Sequence, residues 1–407
     1  MYLCIWRIYN TESLYNTFIA KYNRTNVNFV RDIEHEIAWD APLVGLHGAR
    51  GVGKTTLLLQ HIKKNHKVDN TVLYASVDNI WFNAHSIYQL ATDFAQRGGR
   101  YLFLDEVHKY PNWSQELKNI YDDLPDLHVV FTGSSLLQIL NSRSDLSRRA
   151  AVYEMQGFSF REFLNWNEKT NLPRVSLSQL LSDHIDIAMQ VMREVKVLSH
   201  FDNYLKHGYY PFYKELPSLF YSRLAEVVNL VLEIEIPQLR DVETSYIPKI
   251  KQLLYIIAEL APFTPNITKL GERIGMSRAS LMQYINTLQE SRITFNLGKH
   301  SNGIARLQKP EKIYLDNTNL SYALVGNAPN RGTLRETFFA NQLRYASTVE
   351  AAVAGNFIVD GRYTFEVGGA GKTMQQIAGA EDAYIAADDI EYGTSNRIPL
   401  WMFGLLY

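Results

Sequence analysis

The sequence predicts an α/β protein with a doubly wound parallel sheet, followed by a helical region and a small α+β region. In the first 155 residues, five short apolar runs alternate with segments long enough to form helices. That alternation is typical of parallel strands joined by helices. A glycine-rich turn follows the first run, and helical spacing of apolar residues dominates after residue 160.

The individual elements follow from residue type and spacing. Apolar and β-branched runs predict strands over 43–47, 71–77, 100–105, 128–132 and 151–155. Leucines after the glycine-rich turn predict a helix over 54–64. Further helices are predicted over 160–165, 179–198, 219–234, 250–261, 267–274, 277–291 and 336–345, and β-rich runs over 357–359, 363–367 and 400–406.

Composition narrows the class of protein. The chain has 407 residues, with 41 Lys and Arg against 42 Asp and Glu, and 46% of its residues are hydrophobic. This balance excludes an intrinsically disordered chain and a globally basic nucleic-acid coat protein. Cys4 is the single cysteine, which excludes a disulfide-stapled scaffold and predicts a reducing compartment. No run approaches the ~20 apolar residues of a membrane span, so we expect a cytoplasmic protein with no membrane partner.

The sharpest motif is a phosphate-binding loop that matches G-x-x-x-x-G-K-[ST]. Its glycines let successive backbone N–H groups turn toward phosphate oxygens, and the following helix adds its positive N-terminus. Lys54 is expected to reach the β- and γ-phosphates, and Thr55 to place its hydroxyl on Mg²⁺. The predicted nucleotide-binding residues are Gly48, Ala49, Arg50, Gly51, Val52, Gly53, Lys54, Thr55 and Thr56.

A second segment, 368–373, looks similar but does not match. The position five residues before Gly371 is Glu366, where the motif requires glycine. A carboxylate at that position would face phosphate, so we expect no nucleotide there.

Two carboxylates end the third predicted strand. The carboxyl ends of parallel strands lie on the side of a sheet where ligands bind. Asp105 is therefore predicted to hold Mg²⁺, directly or through water, and Glu106 to orient the attacking water in phosphoryl transfer.

Polar residues also end the fourth strand, which is expected to lie beside the strand of the phosphate loop. Thr132 or Ser134 would then contact the γ-phosphate or the attacking water. The alternative is that the serine only caps a helix.

An arginine-rich segment, 142–149, precedes the fifth strand. Arg148 is the candidate for stabilising transition-state charge on the γ-phosphate, with Arg149 as its alternative. Either arginine would act in its own chain or in a neighbouring one. The alternative is a solvated basic loop.

Taken together, these residues resemble AAA-type P-loop ATPases, in a prokaryotic group that carries a C-terminal domain of unknown function. The segments that carry the resemblance are 48–55, 104–108, 132–135, 157–163, 204–211 and 398–404. The resemblance implies ATP as the nucleotide, a helical lid, a winged helix and a restriction-endonuclease-like domain. The expected divisions are a lead-in over 1–40, the ATPase core over 41–160, the lid over 161–248, the winged helix over 249–313 and the C-terminal domain over 314–407.

The segment 267–288 has the layout of a helix-turn-helix. Gly275 would make the turn and Ser277 would cap the second helix, whose outward residues Arg278, Ser280 and Gln283 would meet a DNA major groove. Residues 250–313 hold nine basic residues against four acidic ones, a net charge of +5, which favours a phosphate-facing surface. Packing or dimerisation is the alternative role.

The C-terminal region resembles a PD-D/E-x-K nuclease core with parts missing. Glu366 occupies the second acidic position, but Gly368 replaces the lysine and Asn356 replaces the first acid, for which Asp360 would have to compensate. Lys372 lies too far along the chain to be assigned. We expect an inactive domain, and we expect the acid-rich stretch 381–391 to be a solvated surface.

Three functions remain at this point. The first is a Mg²⁺-dependent ATPase that drives conformational change of the C-terminal modules, with coupling to DNA left open. The second is a DNA-binding regulator for which ATP is a bound switch with little turnover. The third is a metal-dependent nuclease. The expected partners are ATP, duplex DNA, and a protein partner or further copies of this chain.

Overall fold

The computed structural model describes residues 11–133, 146, 148–237, 243–299, 309–326 and 329–407. The chain divides into two compact units, Met1–Gln156 and Gly157–Tyr407. Ser134 lies outside the described residues, and so do most residues of the arginine-rich segment 142–149. The finer division into five regions stays a prediction.

The first unit is built on a five-stranded sheet, which confirms the predicted α/β fold. Its strands are β1 (Leu43–His47), β2 (Val72–Ser76), β3 (Tyr101–Asp105), β4 (His128–Gly133) and β5 (Ala151–Glu154). All neighbours pair in parallel, in the order β2-β3-β4-β1-β5. The strand that leads into the glycine-rich turn therefore lies between β4 and β5. The carboxyl ends of all five strands lie at the same end of the sheet.

Among the described residues of this unit, four α-helices accompany the sheet. They are α1 (Glu12–Arg24), α2 (Lys54–Asn65), α3 (Ile87–Gln96) and α4 (Trp113–Asp123). The pattern analysis missed α1, although Leu14 and Phe18, one helical turn apart, are both buried. Such a short amphipathic stripe is a weak signal in an otherwise polar segment.

The second unit begins with helices. They are α5 (Phe160–Glu168), α6 (Leu177–Glu194), α7 (Val197–Asn203), α8 (Phe220–Leu230), α9 (Ile247–Leu260), α10 (Ile267–Ile274), α11 (Arg278–Glu290), α12 (Thr318–Val325) and α13 (Arg331–Leu343). Strands β6 (Thr294–Leu297) and β7 (Lys312–Leu315) form an antiparallel pair. Phe263 adds a backbone bridge to Ile313, so a third short segment extends this small sheet.

The turn between α10 and α11 forms as predicted. Gly275 ends α10 with φ of 70°, a left-handed conformation that glycine adopts easily. The Ser277 side chain accepts a hydrogen bond from the backbone N–H of Ser280 and so caps α11. Helix α11 buries Leu281, Ile285 and Leu288.

A second five-stranded sheet lies near the C-terminus. Its strands are β8 (Val349–Ala351), β9 (Phe357–Val359), β10 (Tyr363–Gly368), β11 (Ala383–Ala387) and β12 (Arg397–Pro399), in the order β12-β11-β10-β9-β8. The β-rich run predicted over 400–406 is instead a 3₁₀ helix, Leu400–Leu405, whose six residues are all buried. Burial on all sides explains the error, because a continuous apolar run does not distinguish a core helix from a core strand.

The acid-rich stretch 381–391 is not simply a solvated surface. The Asp388 side chain is 1% exposed and accepts hydrogen bonds from Arg331 Nε at 2.9 Å and Arg335 Nε at 2.8 Å. Its neighbour Asp389 contacts the same two arginines but is 59% exposed. Both arginines lie on α13, and local charge spacing does not reveal such a distant partner.

No helix among the residues that the structure describes is both long and apolar enough to span a lipid bilayer.

We expect Asp388→Asn to destabilise the second unit by about 2–4 kcal/mol, because it leaves two arginines facing a buried position without a carboxylate. The matched control Asp389→Asn should cost less than about 1 kcal/mol, since that carboxylate is exposed to solvent. Urea denaturation of the two variants measures both losses. Equal destabilisation would contradict the structural role of Asp388.

Candidate nucleotide-binding site

The glycine-rich turn connects β1 to α2 and has the backbone shape that a phosphate-binding loop needs. Gly48 has φ of 151°, and a Cβ there would lie 2.1 Å from the carbonyl oxygen of Met155. Gly53 caps α2 with φ of 101°, in the left-handed region. Side chains at these two positions would therefore force the loop to move.

The first turn of α2 offers backbone donors to an anion. The first bond within the helix runs from the N–H of Leu57 to the carbonyl of Gly53 at 3.0 Å. The N–H groups of Lys54, Thr55 and Thr56 precede that bond, in the first turn of the helix, where backbone donors suit an anion. The side chain of Thr56 is exposed, so the backbone of this residue is the part suited to phosphate.

The side chain of Lys54 folds into the loop. Its ammonium donates hydrogen bonds to the carbonyl oxygens of Gly48 at 2.9 Å and Ala49 at 2.8 Å. Phosphate oxygens are stronger acceptors for an ammonium than these carbonyls are. The lysine is thus already directed at the space that the loop encloses.

A buried arginine that was not predicted from the sequence also contacts this loop. Arg31 donates hydrogen bonds to the carbonyl oxygens of Val52 at 3.3 Å and Gln156 at 3.1 Å. Nothing in the local pattern marks this residue, because both acceptors belong to the backbone of distant segments.

Asp105 connects the loop to the sheet. Its Oδ2 accepts hydrogen bonds from the hydroxyls of Thr55 at 2.8 Å and Tyr74 at 2.7 Å, and its Oδ1 accepts one from Thr132. A threonine hydroxyl beside a carboxylate is an oxygen donor set that Mg²⁺ takes together with water and phosphate. The residues predicted to hold the metal therefore lie side by side and fit a magnesium ion.

Tyr74 was not among the predicted site residues. Burial raises the pKa of its phenol, and the charge of Asp105 raises it further, so the hydroxyl stays protonated and donates to that carboxylate. Lys21 on α1 donates to the same hydroxyl at 3.0 Å. These contacts join residues that are far apart in sequence, and only the fold brings them together.

Glu106 follows Asp105 in a conformation that is uncommon for residues other than glycine. Its φ is 58° and its ψ is 37°. The carboxylate Oε2 lies 3.5 Å from Arg50 Nη2 and 3.6 Å from both His108 Nε2 and Lys109 Nζ. The predicted water-orienting carboxylate is thus next to a side chain of the phosphate loop.

Thr132 serves its neighbours in the sheet. The residue is fully buried, its hydroxyl donates to Asp105, and its Oγ1 accepts a hydrogen bond from the backbone N–H of Glu106 at 3.1 Å. It therefore positions both acidic residues. The alternative candidate for the contact with γ-phosphate, Ser134, lies outside the described residues.

The candidate arginines lie at the other end of the sheet. Arg148 is exposed, and Arg149 makes two hydrogen bonds with Asp122, each 2.9 Å long. Both precede Ala151, which pairs with Val44 near the start of β1, whereas the loop follows the end of β1. At about 3.3 Å per strand residue, this separates them from the loop by roughly the length of the strand. In this arrangement the arginines do not reach the loop of their own chain. Action on a neighbouring chain is the version of the prediction that stays.

In the second unit, Lys372 lies beside Glu366, although it was expected to be too far along the chain to be assigned. Its ammonium lies 2.5 Å from Glu366 Oε1, and Glu366 is buried. A Cβ on Gly368 would lie 2.8–2.9 Å from carbons of the Lys372 stem. The side chain of Lys372 therefore occupies the space into which a lysine at 368 would project.

The other residues of the nuclease hypothesis have local roles. The Asn356 side chain accepts a hydrogen bond from the N–H of Val367 at 2.7 Å, and that of Asp360 accepts one from the N–H of Thr348 at 2.8 Å. Within the described ranges, no three or more His, Cys, Asp or Glu side chains are grouped to hold a metal ion. The look-alike segment 368–373 leads into a four-residue 3₁₀ helix, Met374–Ile377, rather than an α-helix.

One family model matches the part of the chain that holds the phosphate-binding loop. Residues 40–164 match the model described as an AAA domain. Residues 198–331 match a domain of unknown function (DUF8612). Neither description includes a winged helix or a restriction-endonuclease-like fold, and those two expectations stay predictions.

The chain is also similar to whole proteins at low identity. The uncharacterized protein MJ1637 of Methanocaldococcus jannaschii is 25% identical over 314 residues, which span 72% of this chain and 66% of that protein. The Walker-type ATPase PABY2304 of Pyrococcus abyssi has 14% identity and a TM-score of 0.43, covering 73% of this chain and 96% of that one. AMPPCP-bound DnaA from Aquifex aeolicus has 15% identity and a TM-score of 0.24, covering 64% and 85%.

Two buried histidines make the first unit sensitive to pH. Burial lowers the pKa of His61, which stacks on Trp39, to about 4. Burial, together with the charges of Lys54, Arg50 and Lys109, lowers the pKa of His108 to about 3. Both imidazoles are therefore neutral in the folded protein at pH 7.

We expect the free energy of unfolding to fall as pH drops from 7 toward 4.5. The unfolded chain binds a proton at each histidine near pH 6.5, whereas the folded chain does so only near pH 3–4, so protons favour the unfolded state. The loss is at most about 1.4 kcal/mol per pH unit for each histidine. Urea denaturation at pH 7 and pH 5 should show a smaller difference for His61→Gln than for the parent. An unchanged difference would contradict the neutral, buried state of His61.

Proposed function

We propose that the first unit is a Mg²⁺-dependent ATPase whose nucleotide state changes the conformation of the C-terminal modules. The observation that carries this proposal is the hydrogen bonding of Asp105 to Thr55 and Thr132, with Glu106 held beside the loop. A loop that only bound phosphate would not need a second carboxylate directed at it. The AAA domain match over residues 40–164 gives independent support.

Each residue has a definite part in this reaction. The loop N–H groups and Lys54 bind the β- and γ-phosphates, and the hydroxyl of Thr55 and the carboxylate of Asp105 would hold Mg²⁺. When bound, the ion offsets the negative charge of the phosphates. Glu106 orients a water molecule for attack on the γ-phosphorus and accepts its proton. Thr132 and Tyr74 keep the two carboxylates in place.

We expect Lys54→Ala to abolish ATP binding, because the loop loses the cation that its phosphates need. Glu106→Gln should still bind ATP but should lose phosphate release by at least about 100-fold, since the amide cannot accept the proton of water. Equilibrium binding of a fluorescent ATP analogue and steady-state phosphate release separate the two effects.

Lys372→Ala is the matched control for this pair, because it removes the lysine of the look-alike segment. We expect parental ATP binding and turnover from it. If the variants Lys54→Ala and Glu106→Gln both hydrolyse ATP like the parent, the proposed active site is wrong.

Duplex DNA is a second candidate ligand, favoured by the surface of α11. The winged helix predicted over 249–313 is supported by helices α9, α10 and α11 and by the small sheet that Phe263 extends. On α11, Arg278 and Gln283 are exposed, and Arg278 and Lys309 line one open groove. Ser280, the third predicted contact, instead bonds to the cap residue Ser277 at 2.9 Å.

We expect the double variant Arg278→Ala/Gln283→Ala to bind duplex DNA at least about 10-fold more weakly than the parent at low salt, with a salt slope smaller by about one. Arg223→Ala is the control and should bind like the parent, because this half-exposed arginine on α8 pairs with Glu215. Fluorescence anisotropy at several salt concentrations measures these effects. If the parent itself is not retained on DNA at low salt, both DNA coupling and the DNA-binding regulator are excluded.

A further inference from the structure

The third residue of the phosphate loop carries a long cationic side chain. We propose that Arg50 is the arginine that stabilises the transition state of ATP hydrolysis, and that it acts within its own chain. This inference rests on the proposed ATPase function and adds a specific catalytic contact to it. The geometry that points to it is the 3.5 Å distance from Arg50 Nη2 to Glu106 Oε2.

Arg50 extends from the phosphate loop toward Glu106, across the space in which the reaction would occur. Its backbone belongs to the loop that encloses the phosphates, and its guanidinium faces the carboxylate that orients the attacking water. The γ-phosphorus must lie between the loop and that water for an in-line attack. A guanidinium attached to one side and facing the other therefore lies beside the γ-phosphate oxygens.

The contact between Arg50 and Glu106 is long and partly accessible. At 3.5 Å it is longer than a charge-assisted hydrogen bond, which is about 2.7–2.9 Å. Lys109, by comparison, is paired with Asp78 at 2.9 Å. The two partners are also partly accessible, since Arg50 is 23% and Glu106 is 17% exposed. This contact is therefore one that a γ-phosphate can lengthen or displace.

The surrounding charges favour an added anion. Burial, together with the positive charges of Lys54, Arg50 and Lys109, lowers the pKa of His108 to about 3. The imidazole therefore stays neutral and does not compete for the phosphate. A triphosphate would meet several cations converging on one place.

Other arginines of the first unit are poorly placed for this role. Arg148 and Arg149 lie at the amino-terminal end of β5, whereas the loop lies at the carboxyl end of the neighbouring strand β1. Arg31 is buried between two backbone carbonyls, those of Val52 and Gln156. Arg50 has its side chain at the reacting edge.

The reaction balances without a proton from Arg50. Water attacks the γ-phosphorus and its proton passes to Glu106, while the bond from the γ-phosphorus to the β–γ bridging oxygen breaks and leaves its electrons on ADP. The guanidinium keeps its protons, because arginine does not deprotonate in proteins, and donates hydrogen bonds to the γ-oxygens as charge develops.

The test compares Arg50→Ala with Arg100→Ala, an exposed arginine at the amino-terminal edge of the sheet. We expect Arg50→Ala to lower kcat by about 100–1,000-fold with ADP affinity within about threefold of the parent. Its affinity for ADP with aluminium fluoride, which mimics the transition state, should fall at least about 100-fold. Arg50→Lys should recover only part of the loss, because an ammonium cannot form the guanidinium's paired hydrogen bonds. Arg100→Ala should match the parent in each measurement.

A mixing experiment separates action within one chain from action between chains. Arg50→Ala mixed with Glu106→Gln should stay inactive if the arginine and the glutamate of a site must come from the same chain. Recovered phosphate release would show an arginine that acts across chains and would overturn the proposal.

Three further results would overturn it. These are a kcat of Arg50→Ala within about threefold of the parent, a loss of ADP binding in that variant, and a large loss of kcat in Arg148→Ala alone. In each of these cases, parental turnover that disappears in Glu106→Gln would leave the ATPase function standing. A parent that releases no phosphate overturns both proposals.

Discussion

The carboxylate of Asp105 is the group on which the arrangement of the site depends. It receives hydrogen bonds from Thr55 at the start of α2, from Tyr74 on β2 and from Thr132 on β4. A buried anion is stable only when such donors surround it. The need to satisfy this one charge therefore holds the helix of the phosphate loop and three strands at fixed positions relative to each other.

The same requirement sets the conformation of the next residue. The Thr132 hydroxyl donates a hydrogen bond to Asp105 and accepts one from the backbone N–H of Glu106. Glu106 itself adopts a positive φ of 58°. Strained backbone of this kind persists only where the surroundings determine it, and it is concentrated at functional sites. The turn brings the Glu106 carboxylate toward Arg50 instead of letting it extend into solvent.

Local features were predictable, and contacts between distant segments were not. The strands of the first sheet, the phosphate loop and the acidic pair follow from short apolar runs and one spaced motif, because those signals lie within a few residues. Tyr74 and Arg31 were missed since their partners lie far away in sequence. The strand predicted over 400–406 was wrong, because an apolar segment that is buried on every side lacks the periodicity that distinguishes a helix from a strand.

The ion pair of Glu366 with Lys372 depends on the absence of a side chain at position 368. The stem of Lys372 occupies the space into which any side chain at Gly368 would project. A larger residue at 368 and this conformation of the lysine at 372 therefore exclude each other. The buried carboxylate thus depends for its counter-charge both on a residue six positions further along the chain and on the glycine between them.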